Sequence, residues 1–170
     1  VTTIVVNDAS CLLDLRKGRL LYAMLGLPFR FLVPFAVRAE ELLEFTPQEW
    51  QMLEDGGMEV YDLPPDAMEE AIAVKAAYPA LSPKDAMCLV ATRRHPGAVL
   101  LTGDGNLRRR AEAETLNVHG VLWLADQLHA ANAASLELLC AALTIWRDDP
   151  AVFLPPADVA ARLRRWATAR

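Results

Sequence analysis

The chain has 170 residues, 54% of them apolar and 23% charged, with a formal net charge of −5. That length supports one domain with a sizeable core and leaves little for a second. The composition excludes a disordered chain, and the acidic balance excludes a strong non-specific nucleic-acid binder while leaving room for basic residues local to one cleft.

Thr3 to Val6 is a β-branched apolar run and reads as a buried strand. Ser10 opens a helical pattern to about Met24, carried by Leu12, Leu13, Leu15, Leu20 and Leu21. The longest apolar stretch, Leu20 to Val37, is interrupted by Pro28, Arg30 and Pro34, whereas a membrane span needs about 20 apolar residues free of such breaks. Within it, Phe31 to Phe35 reads as a turn or short strand, and a helix follows to about Phe45. Thr46-Pro47 starts the next helix with a hydroxyl cap and a proline at the first helical position, and Gly56-Gly57 stops it. Met58 to Tyr61 reads as a strand, and a helix runs from about Asp66 to Tyr78.

Ser82-Pro83-Lys84-Asp85 is a further helix start, a serine cap with an acid three residues on. Pro96-Gly97 ends that helix, and Ala98 to Thr102 is a second buried strand. Gly103-Asp104-Gly105 turns into a helix from about Asn106 to Thr115, and Val118 to Leu122 reads as another strand. Strands alternating with helices in this order imply an α/β fold, a mostly parallel sheet of about four to five strands covered on both faces. From about Trp123 the chain reads as all helix, ending among Arg162, Arg164, Arg165 and Arg170. Ala134 to Trp146 is apolar nearly all round, a pattern that needs either a core or a second chain to cover it.

Cys11, Cys88 and Cys140 are odd in number, lack metal-finger spacing and lie in apolar segments, so they read as buried free thiols in a reducing compartment. His95, His119 and His129 form no ligand pair at helical spacing. With no basic-then-apolar leader pattern at its start, the sequence is expected to be cytoplasmic.

Three acids fall where parallel sheets build their sites, beyond the C-terminal strand ends. Asp8 follows Val6 by two residues, Asp104 follows Thr102 by two, and Asp85 lies in the first turn after Ser82-Pro83. Each has an ordinary explanation as a helix N-terminal residue that accepts orphan backbone N–H groups. Asp85, however, stands at i−3, i−4 and i−7 from Cys88, Leu89 and Thr92 on the apolar stripe of its helix. An acid aimed inward needs a partner or a metal. Three such acids converging repel one another and call for a hard cation, Mg²⁺ or Mn²⁺.

Val5-Val6-Asn7-Asp8-Ala9-Ser10, Leu81-Ser82-Pro83-Lys84-Asp85-Ala86 and Leu100-Leu101-Thr102-Gly103-Asp104-Gly105-Asn106-Leu107 together resemble the PIN-domain ribonucleases, most closely the VapC-type toxins of toxin–antitoxin pairs. The resemblance covers about residues 1–125 and implies a PIN-like three-layer sandwich, with residues 126–170 an all-helical C-terminal extension packed on the same domain. It implies a Mg²⁺- or Mn²⁺-dependent endoribonuclease, a hydrolase of RNA phosphodiester bonds, with Asp8, Asp85 and Asp104 as metal-binding catalytic acids. The family's fourth acid lies on its second helix; its distance from Pro34 points to Glu40, with Glu41 as the rival. Ser10 and Thr102 would steady the cluster by hydrogen bonds, and Asn106 stands where many relatives carry another aspartate. Arg108 or Arg109 would reach substrate phosphate; consecutive helix residues turn by about 100°, so they cannot all face one cleft. The resemblance also implies an antitoxin partner and a homodimer. The competing readings are a catalytically inactive PIN-like module that binds RNA or protein, an aspartyl-phosphate phosphatase and a response-regulator receiver. The phosphatase wants a second acid two residues after its nucleophile, where Ser10 stands. The receiver wants an acidic pair at the first strand end and a lysine after a late strand, and neither is evident.

Overall fold

The computed structural model describes residues 1–169, so Arg170 lies outside the described residues. The strands are β1 (Thr3–Asn7), β2 (Phe29–Pro34), β3 (Glu59–Tyr61), β4 (Val99–Leu101) and β5 (Asn117–His119). The helices are α1 (Ala9–Lys17), α2 (Leu21–Met24), α3 (Phe35–Glu40), α4 (Pro47–Asp55), α5 (Pro65–Ala77), α6 (Pro83–Arg93), α7 (Gly105–Ala113), α8 (Val121–Ala130), α9 (Leu136–Asp148) and α10 (Pro156–Ala167).

The strands form one five-stranded sheet in the order β3-β2-β1-β4-β5, every pairing parallel. The chain winds outward from β1 to β3, then crosses back to place β4 and β5 on the other side of β1. The winding therefore reverses between β1 and β4, and at such a switch point a crevice opens above the C-terminal strand ends. Val5, Val6, Leu100 and Leu101 are wholly buried there, as the unbroken apolar runs require of central parallel strands. Helix α6 covers β1, β2 and β4 with Ala86, Leu89 and Val90 fully buried. Helices α1, α8 and α9, packed on one another, complete the sandwich.

Four elements differ from the sequence expectation. The Ser10–Met24 helix is two helices, because Arg19 adopts a left-handed φ of 59° after Gly18. The Phe31–Phe35 segment is a full strand, β2, lying next to β1 at the centre of the sheet. The helix expected to reach Phe45 stops at Glu40: Thr46 is extended before Pro47, as a residue preceding proline prefers, and caps α4 instead. The strand expected over Val118–Leu122 stops at His119, since the Gly120 carbonyl accepts from Trp123 and Leu124 and starts α8. Val121 and Leu122 belong to the inward stripe of that helix, with Leu124, Ala125 and Leu128.

Helix α9 buries one face, Leu139, Ala142, Leu143 and Trp146, and the chain's own α1, α8 and α10 cover it. Cys11 and Cys88 are buried free thiols as expected, whereas Cys140 is only half-buried on α9. Among the described residues no helix is long and apolar enough to cross a membrane.

Candidate active site

Asp8 leaves the end of β1 and caps α1. Its backbone N–H donates to the Leu101 carbonyl at 3.0 Å, which holds the residue against β4. Its Oδ1 accepts from the Ala9 N–H at 2.8 Å. Its Oδ2 accepts two hydroxyls, Ser10 at 2.9 Å and Thr102 at 2.8 Å. Those hydroxyl oxygens in turn accept from the loop after β4, Ser10 from Gly103 N–H at 2.9 Å and Thr102 from Asp104 N–H at 3.0 Å. The start of α1 and the β4–α7 loop are thereby laced into one rigid edge. Asp8 is only 4% exposed. Burial pushes its carboxyl above the usual range; the Thr102 and Ser10 hydroxyls oppose that, and the Asp85 charge adds to it.

Asp85 takes part in a capping box: its N–H donates to Ser82 Oγ at 3.0 Å, and its Oδ2 accepts from Ser82 N–H at 2.7 Å. Burial raises its carboxyl, the two Ser82 hydrogen bonds lower it, and the nearby Asp104 charge raises it again. Asp104 caps α7, its Oδ1 accepting from Leu107 N–H at 2.8 Å.

The two glutamates separate. Glu40 points to Lys84, 2.5 Å from its ammonium, and its side chain is 60% exposed. Glu41, one residue beyond the end of α3, is raised first by burial and then by the charges of Asp8 and Asp85, with Lys84 offsetting only part. Glu41, the rival of Glu40, is the one raised by the charges of Asp8 and Asp85, while Glu40 pairs with Lys84 at the surface. Distance from Pro34 alone could not separate the neighbours; the helix end between them does.

Asp8, Asp85 and Asp104 thus stand at helix starts along one edge of the sheet; the Asp85 charge raises Asp8, the Asp104 charge raises Asp85, and Asp8 and Asp85 both raise Glu41. Asn106 sits at the exposed lip, donating to the Ala80 carbonyl at 3.4 Å and accepting from Arg109 at 2.5 Å. Arg109 therefore belongs to the rim. Arg108 turns inward, donating to the Thr102 carbonyl at 3.1 Å and lining a cleft with Ser10 and Gly103. Asn7, given no role by the sequence pattern, donates its amide NH₂ to the Val5 and Leu32 carbonyls, while its Oδ1 is buried without a partner.

A model of the PIN domain family matches residues 4–166. The chain belongs to the PIN-domain family. The match runs well past residue 125, so the helices that close the sandwich are part of the matched PIN region. No curated protein matches the chain. PIN domains are generally nucleases that use divalent metals, and the all-parallel sheet with its acidic C-terminal edge accords with that class. As the side chains stand, no group of three or more His, Cys, Asp or Glu among the described residues is gathered tightly enough to hold an ion. The donors are nevertheless the right kind for a hard cation: carboxylate oxygens whose charge is only partly offset.

Proposed function

We propose that this PIN domain is a metal-dependent endoribonuclease, with Asp8, Asp85, Asp104 and Glu41 as the acids that hold Mg²⁺ or Mn²⁺. The observation that carries the reading is geometric: Asp8, Asp85 and Asp104 each cap or open a helix at the C-terminal edge of the sheet, and the buried Asp8 carboxylate is held by the Ser10 and Thr102 hydroxyls with no ion pair among the described residues. A divalent ion there would supply Lewis acidity toward the scissile phosphate and lower the pKa of an attacking water.

The protein's own groups do the positioning. The Thr102 and Ser10 hydroxyls fix the Asp8 carboxylate from one side, and the Ser82 N–H fixes Asp85 from another. The donors are oriented before substrate arrives, so little reorganisation is needed when charge develops. Arg108 stands on the adjoining cleft wall, where its guanidinium can meet the substrate strand. The net negative chain keeps this attraction local.

The test is cleavage of a mixed structured RNA pool with Mg²⁺, Mn²⁺ or EDTA, comparing the wild type with Asp104→Asn. Cleavage that needs metal and disappears in the variant is expected. A well-folded wild type that neither binds Mn²⁺ nor cuts would instead favour the inactive binding module, for which the amide of Asn106 in place of an acid speaks. The toxin role, an antitoxin partner and a homodimer follow only from the VapC-type resemblance; co-expression toxicity and the mass in solution test them.

A further inference from the structure

Beside the acidic edge lies a cavity of about 760 Å³, within the roughly 300–1,000 Å³ typical of small-ligand sites. Ser10, whose hydroxyl donates to Asp8, is one of its walls, and Gly103 is another, so cavity and acids share a border. Leu13, Leu122 and Leu154 make the walls apolar, and Phe153 stands at the rim with 87% of its surface exposed. The charged groups that line it are Asp14 and Lys17 of α1, Arg108 of α7, Asp158 at the start of α10 and Glu44, which lies 3.8 Å from Arg16. Lys17 is already tied to Asp149 at 3.0 Å. Asp14 has no side-chain hydrogen bond or ion pair among the described residues, and burial pushes its carboxyl up to about 6, Lys17 opposing and Asp149 adding. The carboxylate therefore faces the cavity with both oxygens left for the N–H donors of a ligand.

We infer that this cavity is a nucleobase subsite of the substrate strand, selective for guanine, with Asp14 reading the base and Phe153 stacking on it. The inference rests on the nuclease reading for its substrate class. Single-stranded RNA is recognised by splaying a base out, stacking it on an aromatic ring and bonding its edges. Guanine presents two adjacent donors, N1–H and the N2 amino group, which match the two oxygens of one carboxylate. Its O6 and N7 acceptors match an arginine, and Arg108 is in the same cavity. Adenine and cytosine each offer an acid only one amino group. Asp14 follows Ser10, the cavity wall that donates to Asp8, by four residues on α1, about one turn and 6 Å along the same face. Phosphate and base sites would thus occupy successive turns of one helix.

The deciding experiment is fluorescence anisotropy of short oligouridylates carrying one guanosine, inosine or adenosine, with Ca²⁺ replacing Mg²⁺ to suppress turnover. The expected result is roughly tenfold tighter binding of the guanosine oligomer than of the adenosine one, with inosine between, as for one good bidentate contact. Asp14→Asn should erase that preference, and Phe153→Ala, at a wholly surface position, should weaken all three oligomers severalfold. Equal binding of the three oligomers, or a guanosine preference that survives in Asp14→Asn, would overturn the inference. Guanosine preference in a protein that cuts no RNA with any metal would keep the subsite and sink the nuclease reading. Metal-dependent cleavage without base preference would do the reverse and leave the cavity to a protein segment.

Discussion

Where α6 and α7 end, below the N-terminal ends of the strands, Arg93 grips Glu114 through two hydrogen bonds of 2.6 and 2.5 Å and reaches Glu70 at 3.0 Å. Arg110 adds a third bond to Glu114, and Arg94 closes the group onto Glu70 and Asp66. Burial works against the Glu114 charge, but the two arginines win and hold its carboxyl below the ordinary range. At the opposite end of the same sheet, Asp8 is buried and Glu41 half-buried; neither meets an arginine, and both are pushed the other way. One region spends its charges on structure; the other keeps them in reserve for something that arrives from solution.

The strongest way to break this contrast is to remove charge from the reserve. Asp8→Asn and Asp104→Asn should reduce metal-dependent cleavage to background while circular dichroism shows an intact fold, since asparagine caps a helix nearly as well as aspartate. Full activity in both variants would remove the metal-cluster mechanism. Next comes the choice between neighbours: Glu41→Gln should abolish most activity and weaken Mn²⁺ binding, whereas Glu40→Gln should lose only its surface pair with Lys84. The opposite ranking would return the fourth ligand to α3. Thr102→Val should cost about 10–100-fold in metal affinity or rate, as for groups that orient a ligand, measured by Mn²⁺ titration beside kinetics.

The structural end should answer differently. Glu114→Gln should leave cleavage unchanged and lower stability by about 2 kcal/mol in urea unfolding, the scale of hydrogen bonds to charged groups. Because the folded carboxyl of Glu114 is depressed, its contribution is present above the unfolded value and lost as pH falls through the folded one. The sign reverses for Asp14. Its folded carboxyl is raised to about 6 from 3.8, so any relative stabilisation belongs to the protonated form below the unfolded value and disappears as pH rises through the folded one. Asp14→Asn should therefore gain melting temperature over the wild type between about pH 4 and 6, by a small amount, and no further above it. A gain that is largest at acid pH would contradict the burial argument.

Much of this was legible in the residues. Ser82-Pro83-Lys84-Asp85 and Thr46-Pro47 fixed two helix starts because capping is a local reaction between a side chain and N–H groups three residues away. The buried runs at β1 and β4 and the acids beyond them followed from the same local patterning. What escaped depended on tertiary partners. Val121 and Leu122 are as β-prone as the run before them, and only packing against the core turned them into a helix. Glu40 and Glu41 differ by nothing local; past the end of α3 one pairs with Lys84 at the surface and the other is raised by the charges of Asp8 and Asp85. Nothing local marks Asp14, because the 151–158 segment that makes a cavity over it lies far along the chain.

At Gly18 a β-carbon would come within 2.9 Å of the Trp146 ring, and that indole donates to the Asp14 carbonyl at 2.6 Å. The tail of the chain is thus a splint on α1, the helix whose first residues carry the Asp8 cap. Trimming the protein to its first 125 residues would keep every proposed metal ligand in the sequence and unbrace the helix that presents one of them. For the same reason, a bulky side chain introduced at residue 18 should act at a distance: loosened at its far end, α1 would tilt, and the carboxylate at its near end would move with it.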